Sequence, residues 1–313
     1  MAQELAKRLI AQASEERVSD IYILPKETEF ELYFRQGEDR RFIASYEPDK
    51  MSAVIGHFKF MAGMNVGEKR RSQLGSCTYD YGTGQIAMRL STVGDYRGQE
   101  SLVIRLLYDL DQDLNFWFEN IRSLAQEVKG RGLYLFSGPV GSGKTSLMYH
   151  LARQHFTGRQ VITIEDPVEI KQADMLQLQL NETIGATYDD LIKLSLRHRP
   201  DLLIIGEIRD SQTARAVMRA SLTGATVFST IHARSIRGVY DRLLELGVSP
   251  EELNNSLQGI YYQRLLAGGG VVDFENRNFE AYQPGRWNQK MDQLFEAGHL
   301  TEIQWETEKI RLA

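Results

Sequence analysis

Apolar and polar positions follow two different patterns along the chain, and the change falls near residue 120. Before it, three short segments alternate in the manner of strands, with a hairpin expected at "QGED"; they read "VSDIYILP", "EFELYFRQG" and "RRFIASY". A helical period follows over 49–63, and two further strands are expected at 85–94 and 101–109. This pattern predicts a small α+β domain over residues 1–112.

From residue 132 onward, continuous apolar runs alternate with helical segments. The runs are "GLYLFS", "QVITIED", "DLLIIGE" and "ATVFSTI". Such runs suit strands that are buried on both faces of a parallel sheet, so the fold class is α/β here. Ser249, Pro250 and Glu252 mark a helix start, and we expect that helix to continue to residue 266. "AGGG" is expected to end the main fold, which gives a linker over 113–120, an α/β domain over 121–270 and a helical extension over 271–313.

A glycine-rich turn joins the first of these runs to the helix after it. Glycines allow positive φ, so that successive N–H groups can point at one anion, and the helix start adds its positive end. A lysine supplies a mobile charge, and the next hydroxyl can ligate Mg²⁺. The spacing G-x-x-x-x-G-K-[ST] therefore predicts a site for a nucleotide with Mg²⁺. The candidate binding residues are Gly138, Pro139, Val140, Gly141, Ser142, Gly143, Lys144, Thr145 and Ser146.

Carboxylates and a histidine follow three further strands, whose ends should meet at the edge where the ligand lies. Carboxylates next to phosphates repel them unless they serve a metal ion or a water molecule. Glu165, Asp166 and Glu169 lie in "TIEDPVEI", and Glu207 lies in "DLLIIGEIRD". We expect Mg²⁺ to be held by Thr145 with Glu165 and Asp166, but the residues alone leave the division of base and metal roles among the four carboxylates open.

His232 ends the last of these strands, in "TGATVFSTIHARS". A histidine at the nucleotide edge suits a phosphate-sensing or switch role. After Glu207, the residues Arg209 and Asp210 are expected to form only a local ion pair.

Charge and cysteine content narrow the choice of partners. The formal net charge is −5, and the acidic balance, with no basic strand face bearing aromatic residues evident, argues against direct nucleic-acid binding. The single cysteine, Cys77, excludes an internal disulfide and a four-cysteine zinc module. The first 17 residues suit an amphipathic helix and not a signal peptide, so we expect a cytoplasmic protein.

Four motifs in order, "GPVGSGKTS", "TIEDPVEI", "GEIRDSQTA" and "TGATVFSTIHA", resemble the Walker A, Asp-box, Walker B and His-box motifs of the secretion ATPases of type II secretion and type IV pilus systems. The first domain adds "SDIYILP", "EKRRSQLG" and "RLSTVGDYRGQESLVIRLL", which are similar to motifs of the same family. The resemblance covers residues 18–266.

The resemblance implies a PAS-like first domain, a RecA-like P-loop ATPase domain, ATP as the nucleotide and a homohexamer. It also implies a motor that acts on pilin assembly through a polytopic membrane platform protein, and hence a location at the inner face of the cell membrane. Matched by motif, Glu169 takes the place of the catalytic base, Glu207 that of the Walker B glutamate and His232 that of the second His-box histidine. Arg89 and Arg105 match arginines that reach the nucleotide.

Departures from the family pattern indicate which members of the family the chain most resembles. Ala225 stands in place of the first His-box histidine, and Gln212 in place of a glutamate. The zinc module, the long N-terminal docking domain and the A-I-R-N signature of retraction ATPases are not expected here. A short, zinc-free form most resembles the ATPases of Gram-positive competence pili, which serve DNA uptake.

Three other functions are weighed against a pilus motor. A small-molecule kinase or GTPase is disfavoured, since a GTPase needs an N/T-K-x-D element and the nearest string, "QKMD", lacks its first residue. A DNA-translocating RecA-like ATPase is disfavoured by the acidic balance. A nucleotide-gated scaffold with slow turnover is kept as an alternative because of Ala225 and Gln212.

Overall fold

The chain forms two compact units, Met1–Asp109 and Leu110–Ala313, and each contains its own β-sheet. The computed structural model describes residues 2–36, 39–108, 114–168, 170–181 and 185–311. The centre of the expected "QGED" turn, residues 37–38, lies outside the described residues.

The first unit is a six-stranded antiparallel sheet with two helices, a PAS-like α+β arrangement. The strand order is β3-β2-β1-β6-β5-β4. Alternate strand residues form one core with the apolar sides of both helices. The elements are α1 (Ala2–Glu15), β1 (Asp20–Pro25), β2 (Phe30–Gln36), β3 (Asp39–Tyr46), α2 (Pro48–Met61), β4 (Gln73–Asp80), β5 (Gln85–Gly94) and β6 (Glu100–Leu107).

The sequence pattern predicted α1, α2 and five of these six strands, and missed β4. Helix α1 buries Leu5, Leu9 and Ile10 in the core of the unit, as an amphipathic helix should. Strand β4 lies at the edge of the sheet, and Tyr79 is its one fully buried residue. Its largely polar sequence therefore shows too little apolar alternation to be recognised. No helix in the described part of the chain is long and apolar enough to cross a bilayer.

The sheet face that does not pack on α1 and α2 carries arginine and aromatic side chains. The guanidinium carbon of Arg40 lies 3.8 Å from the ring centroid of Tyr33 and 5.6 Å from that of Tyr22. Arg89 and Arg105 are direct cross-strand neighbours on β5 and β6 and belong to the same face. The sequence analysis used the lack of a basic strand face with aromatic residues as one argument against nucleic-acid binding. The structure has such a face, so this argument was wrong.

A buried ion pair lies at the end of the first unit near β4. Lys59 at the end of α2 is fully buried, and its Nζ lies 2.6 Å from Oε1 of Glu100 on β6. The same ammonium group donates to the carbonyl oxygen of Glu68 over 2.6 Å. The pair therefore fixes the loop between α2 and β4, which carries the basic string "EKRRSQLG".

The second unit is built on a seven-stranded sheet of order β13-β12-β7-β11-β10-β8-β9. All neighbours in it are parallel except the pair β12–β13, and core residues cover both faces. Its strands are β7 (Gly132–Ser137), β8 (Val161–Glu165), β9 (Leu176–Gln179), β10 (Leu202–Glu207), β11 (Thr226–Ile231), β12 (Leu257–Leu266) and β13 (Gly269–Glu275). Its helices are α3 (Ile121–Ala125), α4 (Lys144–Phe156), α5 (Tyr188–Arg197), α6 (Ser211–Leu222), α7 (Ile236–Glu245), α8 (Pro250–Ser256), α9 (Gly285–Glu296) and α10 (Glu302–Glu308). This is the α/β arrangement that the apolar runs predicted, and it agrees with the RecA-like domain that the family resemblance implied.

The expected long helix after Ser249 was wrong beyond its first two turns. The predicted capping box is present. The side chain of Ser249 accepts from the N–H of Glu252, and the side chain of Glu252 accepts from the N–H of Ser249. The helix ends at Ser256, however, and 257–266 form β12 beside β7. The aromatic and apolar residues in "GIYYQ" favour a strand, and burial between β7 and β13 outweighs the helical start.

The segment after residue 270 continues the main sheet. Strand β13 spans Gly269–Glu275, so a domain boundary at 270 falls inside the β12–β13 hairpin. Helices α9 and α10 follow, and α9 contributes Trp287 and Met291 to the core of the unit. The GGG sequence that we expected to end the fold instead forms the turn of a hairpin and the start of its second strand.

Part of the predicted linker over 113–120 is bound to the edge of this sheet. The N–H of Trp117 donates to the carbonyl oxygen of Gly270 over 3.0 Å, and the N–H of Gly270 donates to that of Asn115 over 2.7 Å. A Cβ atom at Gly270 would come within 2.7 Å of the ring of Phe116. Only glycine therefore allows the aromatic ring to lie against the strand.

Candidate functional site

The glycine-rich turn connects β7 to α4, as the sequence predicted. Gly138 has φ of 142° and Gly143 has φ of 82°, both positive. A Cβ atom at Gly138 would lie 2.2 Å from the backbone oxygen of Gln263 on β12. The turn is thus pressed against the neighbouring strand, and a larger residue at Gly138 would displace the backbone.

The ammonium group of Lys144 lies inside this turn. Lys144 is 8% exposed, and its Nζ donates to the carbonyl oxygens of Gly138 over 2.9 Å and Pro139 over 2.8 Å. Ser142 is also buried, and its Oγ has no hydrogen-bond partner among the described residues. Thr145 follows in the first turn of α4. The turn therefore offers positive-φ backbone, a cation and an unsatisfied hydroxyl, which fits a phosphate group.

His232 connects the turn to the end of β10. Its Nδ1 lies 3.2 Å from the carbonyl oxygen of Gly138, and its Nε2 lies 3.1 Å from Oε1 of Glu207. Both partners accept hydrogen bonds, so the two contacts are satisfied together when each ring nitrogen carries a proton. The structure thereby brings three of the predicted site residues into one network at the carboxyl edge of the sheet.

Glu207 has a second partner, Arg209, whose Nε donates to Oε2 over 2.8 Å. The hydrogen bond from this guanidinium to Glu207 raises the pKa of Arg209. The expected pair of Arg209 with Asp210 was wrong, because Asp210 instead caps α6 and accepts from the N–H of Thr213 over 2.7 Å. Asp210 is used as an N-cap since its short carboxylate reaches an orphan donor of the first helical turn.

Glu165 lies at the end of β8 but is turned into the core. It is 4% exposed, and its Oε1 accepts from the hydroxyls of Tyr149 over 2.6 Å and Thr163 over 2.8 Å. Gln177 on β9 donates to the same oxygen over 3.4 Å. Burial and the nearby carboxylate raise the pKa of Tyr149. The carboxylate joins α4 to two strands, which departs from its expected role as an Mg²⁺ ligand.

Asp166 follows Glu165 and is exposed at the end of β8. Burial, followed by the charge of Asp166, raises the pKa of Tyr188 to about 12. Glu169, the predicted base, lies outside the described residues. Within the described residues, no group of three or more His, Cys, Asp and Glu side chains is arranged to hold a metal ion. A metal at this edge would therefore depend on phosphate oxygens and water for most of its ligands, as Mg²⁺ commonly does.

Arg89 and Arg105 lie opposite each other in the first unit, and Arg105 has a carboxylate partner there. Its Nε donates to Oδ1 of Asp20 on β1 over 2.8 Å, while about half of the Arg105 side chain is exposed. Asp20, Arg105 and Arg89 form one row across β1, β6 and β5. Delivery of the two arginines to the nucleotide stays a prediction.

Sequence reasoning missed the residues that hold Glu165 in place. Tyr149 and Gln177 lie 16 and 12 positions from Glu165, on elements that meet only in the folded unit. No motif marks either residue, and a tyrosine five positions after the P-loop lysine resembles any core residue of a helix. Thr163, two residues before Glu165 on the same strand, was the one local signal.

Residues 1–283 match the family described as Type II/IV secretion system protein. The chain belongs to this family. It is 65% identical to the competence protein ComGA of Streptococcus pneumoniae over 310 residues, which cover 99% of each chain. It is 34% identical to the type IV pilus assembly ATPase PilB of Thermus thermophilus over 274 residues, which cover 85% of this chain but 30% of that protein.

Two solved structures show the same fold. The Legionella pneumophila ATPase DotB has a TM-score of 0.74 with 18% identity, and the match covers 96% of this chain and 94% of that one. The pilus retraction motor PilT with bound ADP has a TM-score of 0.71 with 22% identity, and the match covers 97% of both chains. The pairing of a small antiparallel sheet with a larger mixed sheet is therefore an arrangement found in secretion and pilus ATPases.

Proposed function

We propose that this chain is a motor that hydrolyses ATP to power the assembly of a competence pilus for DNA uptake. The observation that carries the proposal is the network in which the buried Lys144 occupies the P-loop turn and His232 joins that turn to Glu207. The names of the relatives, a competence protein and a pilus assembly ATPase, support the biological setting.

The chain's own residues divide the work in the following way. Lys144 leaves its carbonyl partners for the phosphates, while the N–H groups of the turn bind the same oxygens. Thr145 and Asp166 would hold Mg²⁺, which would neutralise charge on the phosphate oxygens. Glu165 is left out of this set because it holds α4 against the sheet. Glu169 orients and deprotonates the attacking water, and His232 senses the phosphate through the Gly138 carbonyl.

The active form is a homohexamer in which Arg89 and Arg105 complete the nucleotide site. A RecA-like domain leaves its nucleotide exposed on one side, and forked arginine donors neutralise charge there. Delivery of these arginines by a moving first unit couples hydrolysis to motion. The hexamer acts on a polytopic membrane platform protein and so lies at the inner face of the membrane.

Lys144→Ala tests the central assignment. The substitution removes the cation from the turn, so ATP turnover by the full chain should be abolished while the fold, followed by circular dichroism, is kept. Lys193→Ala is the matched control, because Lys193 lies on α5 and its side chain is 65% exposed. Wild-type hydrolysis by folded Lys144→Ala protein would refute the P-loop assignment. A requirement for Mg²⁺ is checked by the same assay with EDTA.

Two glutamate-to-glutamine variants test whether Glu169 or Glu207 acts as the base. Glu169→Gln should retain ATP and lower the hydrolysis rate by about 100-fold or more, because the shape is kept and the base is lost. Glu207→Gln should have the smaller effect, since an amide oxygen still accepts from Arg209. The opposite ranking would transfer the role of base to Glu207.

Arg89→Ala and Arg105→Ala test the contribution of the first unit. Each should lower ATP turnover by about tenfold or more, a loss of about 1.4 kcal/mol in transition-state stabilisation, with the oligomer measured by light scattering unchanged. Asp20→Asn is the control, because it removes the local partner of Arg105 but leaves both guanidinium groups. Full turnover by the double arginine variant would show that the first unit does not complete the site.

A further inference from the structure

A second concave site lies at the opposite edge of the larger sheet. Strand β7 begins there at Gly132, while the P-loop follows its other end at Ser137, about 17 Å away for five strand residues. The cavity measures about 500 Å³. It is lined by residues of four separate segments, which are 128–131, 155–159, 196–201 and 223–226. All of them belong to the second unit, so the cavity is complete within it.

Positive side chains dominate the rim of this cavity. Lys129, Arg131, Arg159 and Arg199 line it together with His155, whereas Asp201 is the one carboxylate among the described lining residues. The chain as a whole carries a net charge of −5, so this is a local excess of cations in an acidic protein.

Carboxylates pair with two of these four cations. Asp201 lies 3.8 Å from Arg159, and both side chains are largely exposed. Lys129 is paired with Glu127 beside the cavity, over 3.2 Å. Among the described residues, Arg131 and Arg199 form no ion pair. Like charges brought together on a concave surface repel one another, and a bound anion relieves that repulsion.

Apolar side chains also line the cavity, and we call this part of the lining its floor. Val128 and Phe156 are 3% and 6% exposed, and Pro200 is also buried. Leu196 and Ala225 complete the apolar part. Inorganic phosphate would leave this floor uncovered. A ligand that joins a flat apolar group to several phosphates would cover the floor and meet the cationic rim at once.

We propose that this cavity, which we call the amino-edge cavity, binds a phosphorylated nucleoside. The assignment rests on the convergence of four cationic side chains around an apolar floor at a distance from the P-loop. Arg131 and Arg199 bind the phosphates, and Phe156 and Pro200 support the base. The amino-edge cavity is independent of the proposed hydrolysis site, and it gives the chain two nucleotide sites on opposite edges of one sheet.

The test is the stoichiometry of ADP binding to the full chain, measured by isothermal titration calorimetry. Wild-type protein should bind two ADP molecules per chain. Arg131→Ala with Arg199→Ala should remove one site, with affinity there lowered by roughly tenfold or more. Arg122→Ala with Arg277→Ala is the matched control, because both residues are exposed on the same unit and line neither the P-loop nor the amino-edge cavity. This control should keep both sites.

Lys144→Ala separates this proposal from the proposed function. If the variant binds one ADP that the Arg131→Ala and Arg199→Ala pair abolishes, the amino-edge cavity is confirmed. A wild-type stoichiometry of one, lost in Lys144→Ala and kept in the arginine pair, would overturn it.

Two further measurements check the ligand class. Pyrophosphate should bind this cavity more weakly than ADP, and equal binding would overturn the role of the apolar floor. Competition by a single-stranded oligonucleotide in the absence of ADP binding would overturn the nucleoside class.

Discussion

Each unit of this protein buries a glutamate, and the two units accommodate the charge in different ways. In the first unit, Glu100 lies against the buried ammonium group of Lys59. In the second, the donors described for Glu165 are the uncharged side chains of Tyr149, Thr163 and Gln177. Glu100 thus lies against an opposite charge, and Glu165 accepts converging hydrogen bonds from three uncharged side chains.

Because of this difference, two carboxylates of similar burial should respond differently to the same substitution. A buried ion pair depends on both members, because loss of either leaves an uncompensated charge in a poorly polarisable surrounding. The three uncharged donors to Glu165 need an accepting oxygen, and an amide also offers one. Glutamate-to-glutamine exchange should therefore separate the two sites.

Glu100→Gln should give the largest effect. It leaves Lys59 buried without its counter-charge, so the free energy of unfolding of the first unit should fall by about 3–5 kcal/mol. Cys77 is the only cysteine in the chain and lies on β4, so its reaction with a thiol reagent in urea reports on this unit. Glu31→Gln is the control, since Glu31 and its partner Lys26 are much more exposed. A loss no greater than that of the control would contradict a dependence on the ion pair.

Glu165→Gln should give a smaller effect than Glu165→Ala. The alanine variant leaves the buried donors without an acceptor and should lower the free energy of unfolding of the second unit by about 1–3 kcal/mol, whereas the glutamine variant should lose less. The three tryptophans, Trp117, Trp287 and Trp305, all belong to this unit, so their fluorescence in urea measures it. Equal losses in both variants would show that Glu165 needs its charge, and would make it resemble Glu100.

The smallest predicted effect is a pH dependence in the first unit. Burial, followed by the charge of Lys7, lowers the pKa of His57 from its ordinary value of 6.5. The Nε2 atom of His57 lies 2.9 Å from the Tyr79 hydroxyl oxygen. The unfolded chain therefore binds the proton first as the pH falls, so this contribution to stability is lost as the pH decreases below about 6.5.

His57→Gln isolates that contribution from other titrating groups. The difference in stability between wild type and variant, followed by Cys77 labelling in urea, should decrease from pH 7.5 to pH 5.5. A difference that stays constant over this range would show that His57 does not carry the dependence.

The P-loop and its setting could be predicted from sequence because all of the required signals are local. The glycines, Lys144 and Thr145 lie within eight positions of one another, and the apolar run before them leads directly into the turn. The four apolar runs likewise identified the central strands, since buried parallel strands need uninterrupted apolar sequence.

Errors arose where side-chain direction or distant partners decide the outcome. Glu165 and Asp166 are adjacent carboxylates at one strand end, yet the first is buried against Tyr149 and the second is exposed. Local sequence does not distinguish them, because the direction of a strand residue depends on the whole sheet. The amino-edge cavity was also missed, since its cations come from three segments that are far apart in sequence.

The contact of Asn115 and Trp117 with Gly270 has a consequence for the behaviour of the protein at high concentration. Unpaired backbone groups along an outer strand act as a template for a strand of another molecule, which leads to aggregation. Here the amide and carbonyl of Gly270 are both occupied by the chain's own backbone. At the other edge, β9 has only four residues and offers a short template. These two features reduce intermolecular strand pairing at Gly270 and at β9, which lowers the tendency to form fibres at high concentration.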